Sequence, residues 1–170
     1  MLSNKPMTGY DIHKRVKTRM SFWDINYGQI YPTLRRLEKD GFLKKTLEIN
    51  ENRPNRKVYS ITDNGTKKLQ KWLMKPAKPE KMKIETLLKV GFGEQMPKSK
   101  VISHIQYSKA RHVSALENAL IFEKELKVNP NRNERDFFVS LTILLGKKFH
   151  EAAIEWADTA IKQIEEHMET

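Results

Sequence analysis

The sequence predicts a mainly α-helical protein with a winged helix-turn-helix head and long C-terminal helices. Three observations carry this expectation. The first 78 residues give signals in the order helix, turn, helix, hairpin, helix. The net positive charge is confined to the same stretch. The last third holds apolar residues at spacings of three and four over more than thirty positions, interrupted by no proline.

Taken in order, residues 8–19 (TGYDIHKRVKTR) form the first predicted helix. Thr8 is placed to cap it, Asp11 follows three residues later in a capping-box position, and Ile12 and Val16 lie one turn apart. Residues 20–26 break the pattern. A second helix runs from Tyr27 to Lys39, with Ile30, Leu34 and Leu37 on one stripe, and Gly41 suits the left-handed position after its end. Leu43 to Ile49 and Lys57 to Ile61 read as the two strands of a wing, joined by the polar loop NENRPNR. Thr62 then caps a helix over residues 66–74.

Lys75 to Lys83 carries two prolines and four lysines and reads as a linker. The boundary is placed at residue 78, with a DNA-binding domain over 1–78 and an α-helical dimerisation domain over 79–170. The second part has a short helix (84–92), a long one (97–127), a break at Asn129-Pro130-Asn131, and a last helix from about Asn133 to Met168. Its seam includes Phe138, Leu141, Leu145, Phe149, Trp156 and Ile164. A head of this size does not cover so long a seam. A second copy of the chain is therefore expected on Leu116, Leu120, Leu141, Leu145, Phe149, Trp156 and Ile164.

Charge points to the partner of the head. The net charge is +11. Residues 1–78 hold 18 Lys and Arg against 7 Asp and Glu, whereas residues 79–170 hold 14 of each. An excess confined to one domain suits a polyanion, double-stranded DNA first of all. In a helix-turn-helix the second helix enters the major groove. Gln29 can pair with adenine, Thr33 can meet a thymine methyl, and Arg35 and Arg36 can meet guanine or phosphate. Tyr27 and Tyr31 carry hydroxyls suited to phosphate oxygens, with core packing as the alternative for Tyr31. Arg53, Asn55, Arg56 and Lys57 form the basic wing tip, and Lys14 and Lys44 are phosphate candidates by position.

Other classes find little support. His13, His104, His112, His150 and His167 form no HExxH pair, and the chain has no glycine-rich phosphate loop and no nucleophile elbow. No catalytic residue, cofactor or metal is expected. With no cysteine, no apolar run long enough for a bilayer and no signal-like start, the reading is a cytoplasmic protein without a membrane partner. The rival to a regulator is an interaction module, impaired in DNA binding, that dimerises with or sequesters another regulator.

The runs PMTGYDI (6–12), GQIYPTLRRLEKDGFL (28–43) and KVYSITDNG (57–65) together resemble the PadR family of bacterial transcriptional regulators. IETLLKVGFGEQM (84–96) and EAAIEWADTAI (151–161) resemble the two ends of the virulence-activator type C-terminal domain of one subfamily. The resemblance implies dimeric repressors or activators with a winged-helix head and a helical dimerisation region. It also implies that small molecules, such as phenolic acids or hydrophobic drugs, regulate some members. Trp23 and Trp156 are the aromatics such an effector would meet, with core packing as the alternative. Family members carry about one more helix before PMTGYDI, where this sequence has Met1 to Asn4. That difference predicts an uncovered apolar face around Ile12, Val16 and Leu34.

Overall fold

The computed structural model describes residues 1–19, 23, 25–49, 55–79 and 82–167. The chain divides into two compact units, Met1–Glu80 and Lys81–Thr170.

In the first unit, strand β1 (Met7–Thr8) leads directly into helix α1 (Gly9–Arg19). The junction is a reciprocal cap. The Thr8 amide and hydroxyl both donate to the Asp11 carboxylate, at 3.2 and 2.7 Å, and the Asp11 amide donates to the Thr8 hydroxyl at 3.1 Å. Helix α2 (Tyr27–Lys39) starts at Asn26, whose side chain accepts from the Gly28 amide. It ends where Gly41 takes a φ of 73°, a conformation natural to glycine.

Strands β2 (Leu43–Glu48) and β3 (Arg56–Ile61) pair antiparallel, with Leu43 opposite Ile61 and Glu48 opposite Arg56. Thr62 caps helix α3 (Asp63–Leu73), its hydroxyl accepting from the Gly65 amide at 3.1 Å. The expected two-stranded wing is thus part of a three-stranded sheet in the order β1-β3-β2, with Met7 opposite Tyr59 and Thr8 opposite Val58.

Ile30, Leu34, Leu43 and Tyr59 make the core of this unit, with Ile12, Leu37 and Ile61 packed against it. A β-carbon on Gly65 would lie 2.1 Å from the Phe42 carbonyl oxygen, so α3 approaches the start of β2 through that glycine. Val16 and Leu34 are buried, contrary to the uncovered face expected there, because α1 and α2 pack on the sheet and on each other. What stays open is a groove of about 730 Å3 whose lining includes Ile12, Ile25, Leu37, Phe42, Leu69 and Trp72.

The second unit holds α4 (Glu85–Gly91), a single 3-10 turn (Gly93–Gln95), α5 (Lys98–Lys127) and α6 (Glu134–Glu166). A capping box between Asn133 and Asp136 starts α6. Helices α5 and α6 form an antiparallel hairpin. Val101 and Ile105 near the start of α5 pack with Ala157, Trp156, Ala160, Ile161 and Ile164 near the end of α6. Ion pairs Lys109–Asp158 and Lys147–Glu123 span the two helices further along. Among the described residues no helix is long and apolar enough to cross a membrane.

Candidate nucleic-acid interface

Helix α2 turns Ile30 and Leu34 into the core, which leaves one face outward. Gly28, Gln29, Pro32, Arg35, Arg36 and Lys39 are all exposed and fall within one sector of the helix. Pro32 sits on this outer stripe, where its ring removes the donor that would otherwise serve the Gly28 carbonyl. Arg36 and Lys39 lie in the last turn, where they also complement the negative end of the helix dipole. On the flank facing the sheet, Glu38 pairs with Lys45 of β2 at 2.8 Å, and this carboxylate pushes the Lys45 ammonium above its ordinary value.

The remaining α2 residues singled out from sequence are placed differently. Thr33 is half-buried, and both Thr33 and Gln29 border the apolar groove. Tyr31 is half-buried, its ring lying where a β-carbon on Gly9 would come within 2.7 Å. Burial first, and the Tyr27 hydroxyl next, push its phenol upward. Tyr27 is exposed, with its ring edge-on to His13 and to Tyr31.

In the wing, Asn55, Arg56 and Lys57 are exposed and Arg53 lies outside the described residues. Arg56 is engaged. Its guanidinium donates to Asp11 at 3.1 Å and lies 3.9 Å from Glu48. The Asp11 carboxyl is held below the usual range by the Thr8 hydroxyl foremost, with the Thr8 amide and Arg56 adding to it. Lys14, another residue singled out from sequence, lines a cleft of about 510 Å3 beside this cluster together with Lys5 and Arg15. Sequence reasoning missed the Asp11–Arg56 pair and the place of Lys5 and Arg15. Partners 45 positions apart leave no local signal.

Among the residues expected at a dimer contact, two groups separate. Trp156 and Ile164 pack within the hairpin against Val101, Ile105 and Ala157, and Leu116 is half-buried. Leu120, Leu141, Leu145 and Phe149 are exposed, Leu145 at 71%, and Ile121, Phe137, Phe138 and Leu144 are exposed with them. Trp23 is exposed and belongs to neither core cluster. Met168, expected at the end of the last helix, lies outside the described residues. Among the described residues no three His, Asp or Glu side chains are grouped so as to hold a metal ion.

A two-helix motif, a following hairpin and a basic outer face on the second helix define a winged-helix regulator. Residues 1–71 match the model of the transcriptional regulator PadR-like family, and residues 82–165 match that of the virulence activator α C-terminal domain. The chain belongs to the PadR-like family of transcriptional regulators, in the group that carries this second domain. It is 34% identical over 94 residues to the negative transcriptional regulator PadR of Bacillus subtilis, covering 54% of this chain and 52% of that protein. A probable transcriptional regulator of Mycobacterium tuberculosis is 24% identical over 180 residues, covering 97% of this chain and 94% of that one. The fold is that of B. subtilis PadR in complex with operator DNA, at a TM-score of 0.78 and 23% identity, covering 95% of this chain and 92% of that one. The same relative in complex with p-coumaric acid gives a TM-score of 0.70 at 23% identity, covering 96% and 94%.

Proposed function

We propose that this chain is a sequence-specific DNA-binding regulator that acts as a homodimer on a near-palindromic operator and represses by blocking polymerase. The observation that carries the reading is the outer face of α2, where Gln29, Arg35, Arg36 and Lys39 stand exposed in a unit that holds nearly all of the cationic excess of the chain. Arg36 and Lys39 supply phosphate or guanine contacts, and Gln29 reads adenine from the border of the face. The crystallised complex of B. subtilis PadR, a protein of the same fold, with operator DNA supports DNA as the partner.

The homodimer rests on the exposed stripe of Leu120, Leu141, Leu144, Leu145 and Phe149, since apolar side chains so closely spaced gain by mutual burial. Trp156 and Ile164 pack partly within the hairpin, which leaves them less surface for that contact. The p-coumaric acid bound in the B. subtilis relative suggests a small aromatic ligand here too, to be read from the three tryptophans. A saturating change in their fluorescence supports a ligand, and a flat titration across a panel of phenolic acids counts against it.

The test of the main reading is binding to the chain's own upstream DNA over a salt series. Displacing counterions from several phosphates should cost roughly a thousandfold in affinity between 50 and 200 mM salt. Arg36→Ala should reduce that salt slope by about one per protomer, and Gln29→Ala should narrow the gap between cognate and random DNA. Salt-independent binding, or equal affinity of the parent for both DNAs, sinks the reading.

A further inference from the structure

The segment from Met7 to Asp11 touches both elements that would meet DNA. Toward the wing, Met7 and Thr8 pair with Tyr59 and Val58 of β3, and Asp11 accepts from Arg56, the first residue of β3. Toward the recognition helix, Gly9 gives room to the ring of Tyr31 on α2. Asp11 is itself fixed by Thr8, through two hydrogen bonds to one carboxylate oxygen. One turn of chain therefore sets the position of α2 relative to the hairpin.

Arg56 is the side chain whose role changes on this view. Its position at the base of the wing loop suits a phosphate contact, but its charge already faces two carboxylates, Asp11 and Glu48. The three groups sum to a net charge of about −1, so Arg56 itself has little charge left for a phosphate, and the cations of this cleft that could meet one are Lys5, Lys14 and Arg15. The pair is half exposed, so its contribution to global stability is small. What it supplies is direction, since a guanidinium shared by α1, β2 and β3 fixes how the hairpin leaves the sheet.

We infer that Asp11 and Arg56 are positioning residues for DNA binding, holding the wing against the first turn of α1 while Gly9 seats the recognition helix on that same turn. The inference rests on the DNA-binding reading for its consequence, but the tie itself can be measured without DNA.

The decisive variants are Asp11→Asn, Arg56→Gln and the exchanged pair Asp11→Arg with Arg56→Asp, titrated with upstream DNA over a salt series. Arg56→Gln should weaken binding about fivefold, the scale of one half-exposed ion pair, with the salt slope unchanged. Asp11→Asn should also weaken it, although it makes the protein more positive. The exchanged pair remakes the ion pair but loses the acceptor for the Thr8 amide and hydroxyl, so it should regain only part of the loss. A fall of about one per protomer in the slope for Arg56→Gln, with tighter binding for Asp11→Asn, overturns the inference and makes Arg56 a phosphate contact.

Because the chain has no cysteine, Lys39→Cys and Lys57→Cys give two unique sites for spin labels on α2 and β3. Without DNA, their distance distribution should be narrow in the otherwise unaltered protein and broadened by Asp11→Asn. An unchanged distribution overturns the tie. A broadened one, in a parent that binds no DNA, leaves the tie standing and removes the DNA-binding reading alone.

Discussion

The head and the C-terminal hairpin solve the burial problem in different ways. The head brings three strands and three helices around Ile30, Leu34, Leu43 and Tyr59, and places its surplus cations on the outside. The hairpin has helices of 30 and 33 residues, yet its main core cluster is only Val101, Ile105 and Ala157 at one end. Helices α5 and α6 share one seam, with α4 packed on α5, while Leu141, Leu144 and Leu145 further along α6 stay exposed. The difference teaches where each unit looks for a partner. The head offers charge and the hairpin offers apolar surface.

The comparison breaks first at the exposed stripe. Leu141→Lys with Leu145→Lys should raise the dimer dissociation constant by on the order of a hundredfold or more, from two lost apolar burials and two charges brought into the contact. Sedimentation of the double variant checks this, and an unaltered dimer would assign the contact to another surface. Far-ultraviolet circular dichroism should still show folded helices, because neither side chain belongs to the seam within the hairpin.

The second effect sharpens the contrast in packing. Gly65→Ala should destabilise the head by about 2 kcal/mol, because the new methyl meets the Phe42 carbonyl. Gly146→Ala, with nothing within 4 Å of its methyl, should instead stabilise α6 by about 0.5 to 1 kcal/mol. Chemical denaturation of both variants decides the matter. Equal losses in the two variants, or no loss for Gly65→Ala, would deny that the head is the tighter of the two.

The smallest effect is one of pH and belongs to the hairpin. His112 on α5 and His150 on α6 face each other with Nδ1 atoms 2.9 Å apart, one donating and the other accepting. Burial, and then the charge of a neighbour, lowers both below the ordinary histidine value of 6.5, the neighbour being Arg111 for His112 and His112 for His150. The unfolded chain then binds protons more readily than the folded one. The hairpin should hold its full stability above pH 6.5 and lose part of it as pH falls through 6.5 toward the lowered values. His150→Leu should flatten that decline. A decline of the same size in the variant would place its origin elsewhere.

Much of this was legible in the residues. The periodic helices appear near their expected ends, and the caps at Thr8 and Thr62 are made by the side chains that local chemistry favours. Strand β1 was not legible, because two residues show no alternation and owe their state to pairing with Tyr59 and Val58. Periodicity likewise put Trp156 and Leu145 on one seam. Which of them faces α5 depends on how α6 rotates against its neighbour.

The sequence by itself determined the element order, the caps, the cationic head and the apolar length of the last two helices. These follow from spacing and composition within a few turns of chain, where backbone geometry alone decides which residues share a face. Tertiary structure alone decided that Arg56 answers to Asp11, that Tyr31 rests on Gly9, and that His112 meets His150. Each joins residues 22 to 45 positions apart. Contacts at that separation are chosen by packing of whole elements, which no local pattern encodes.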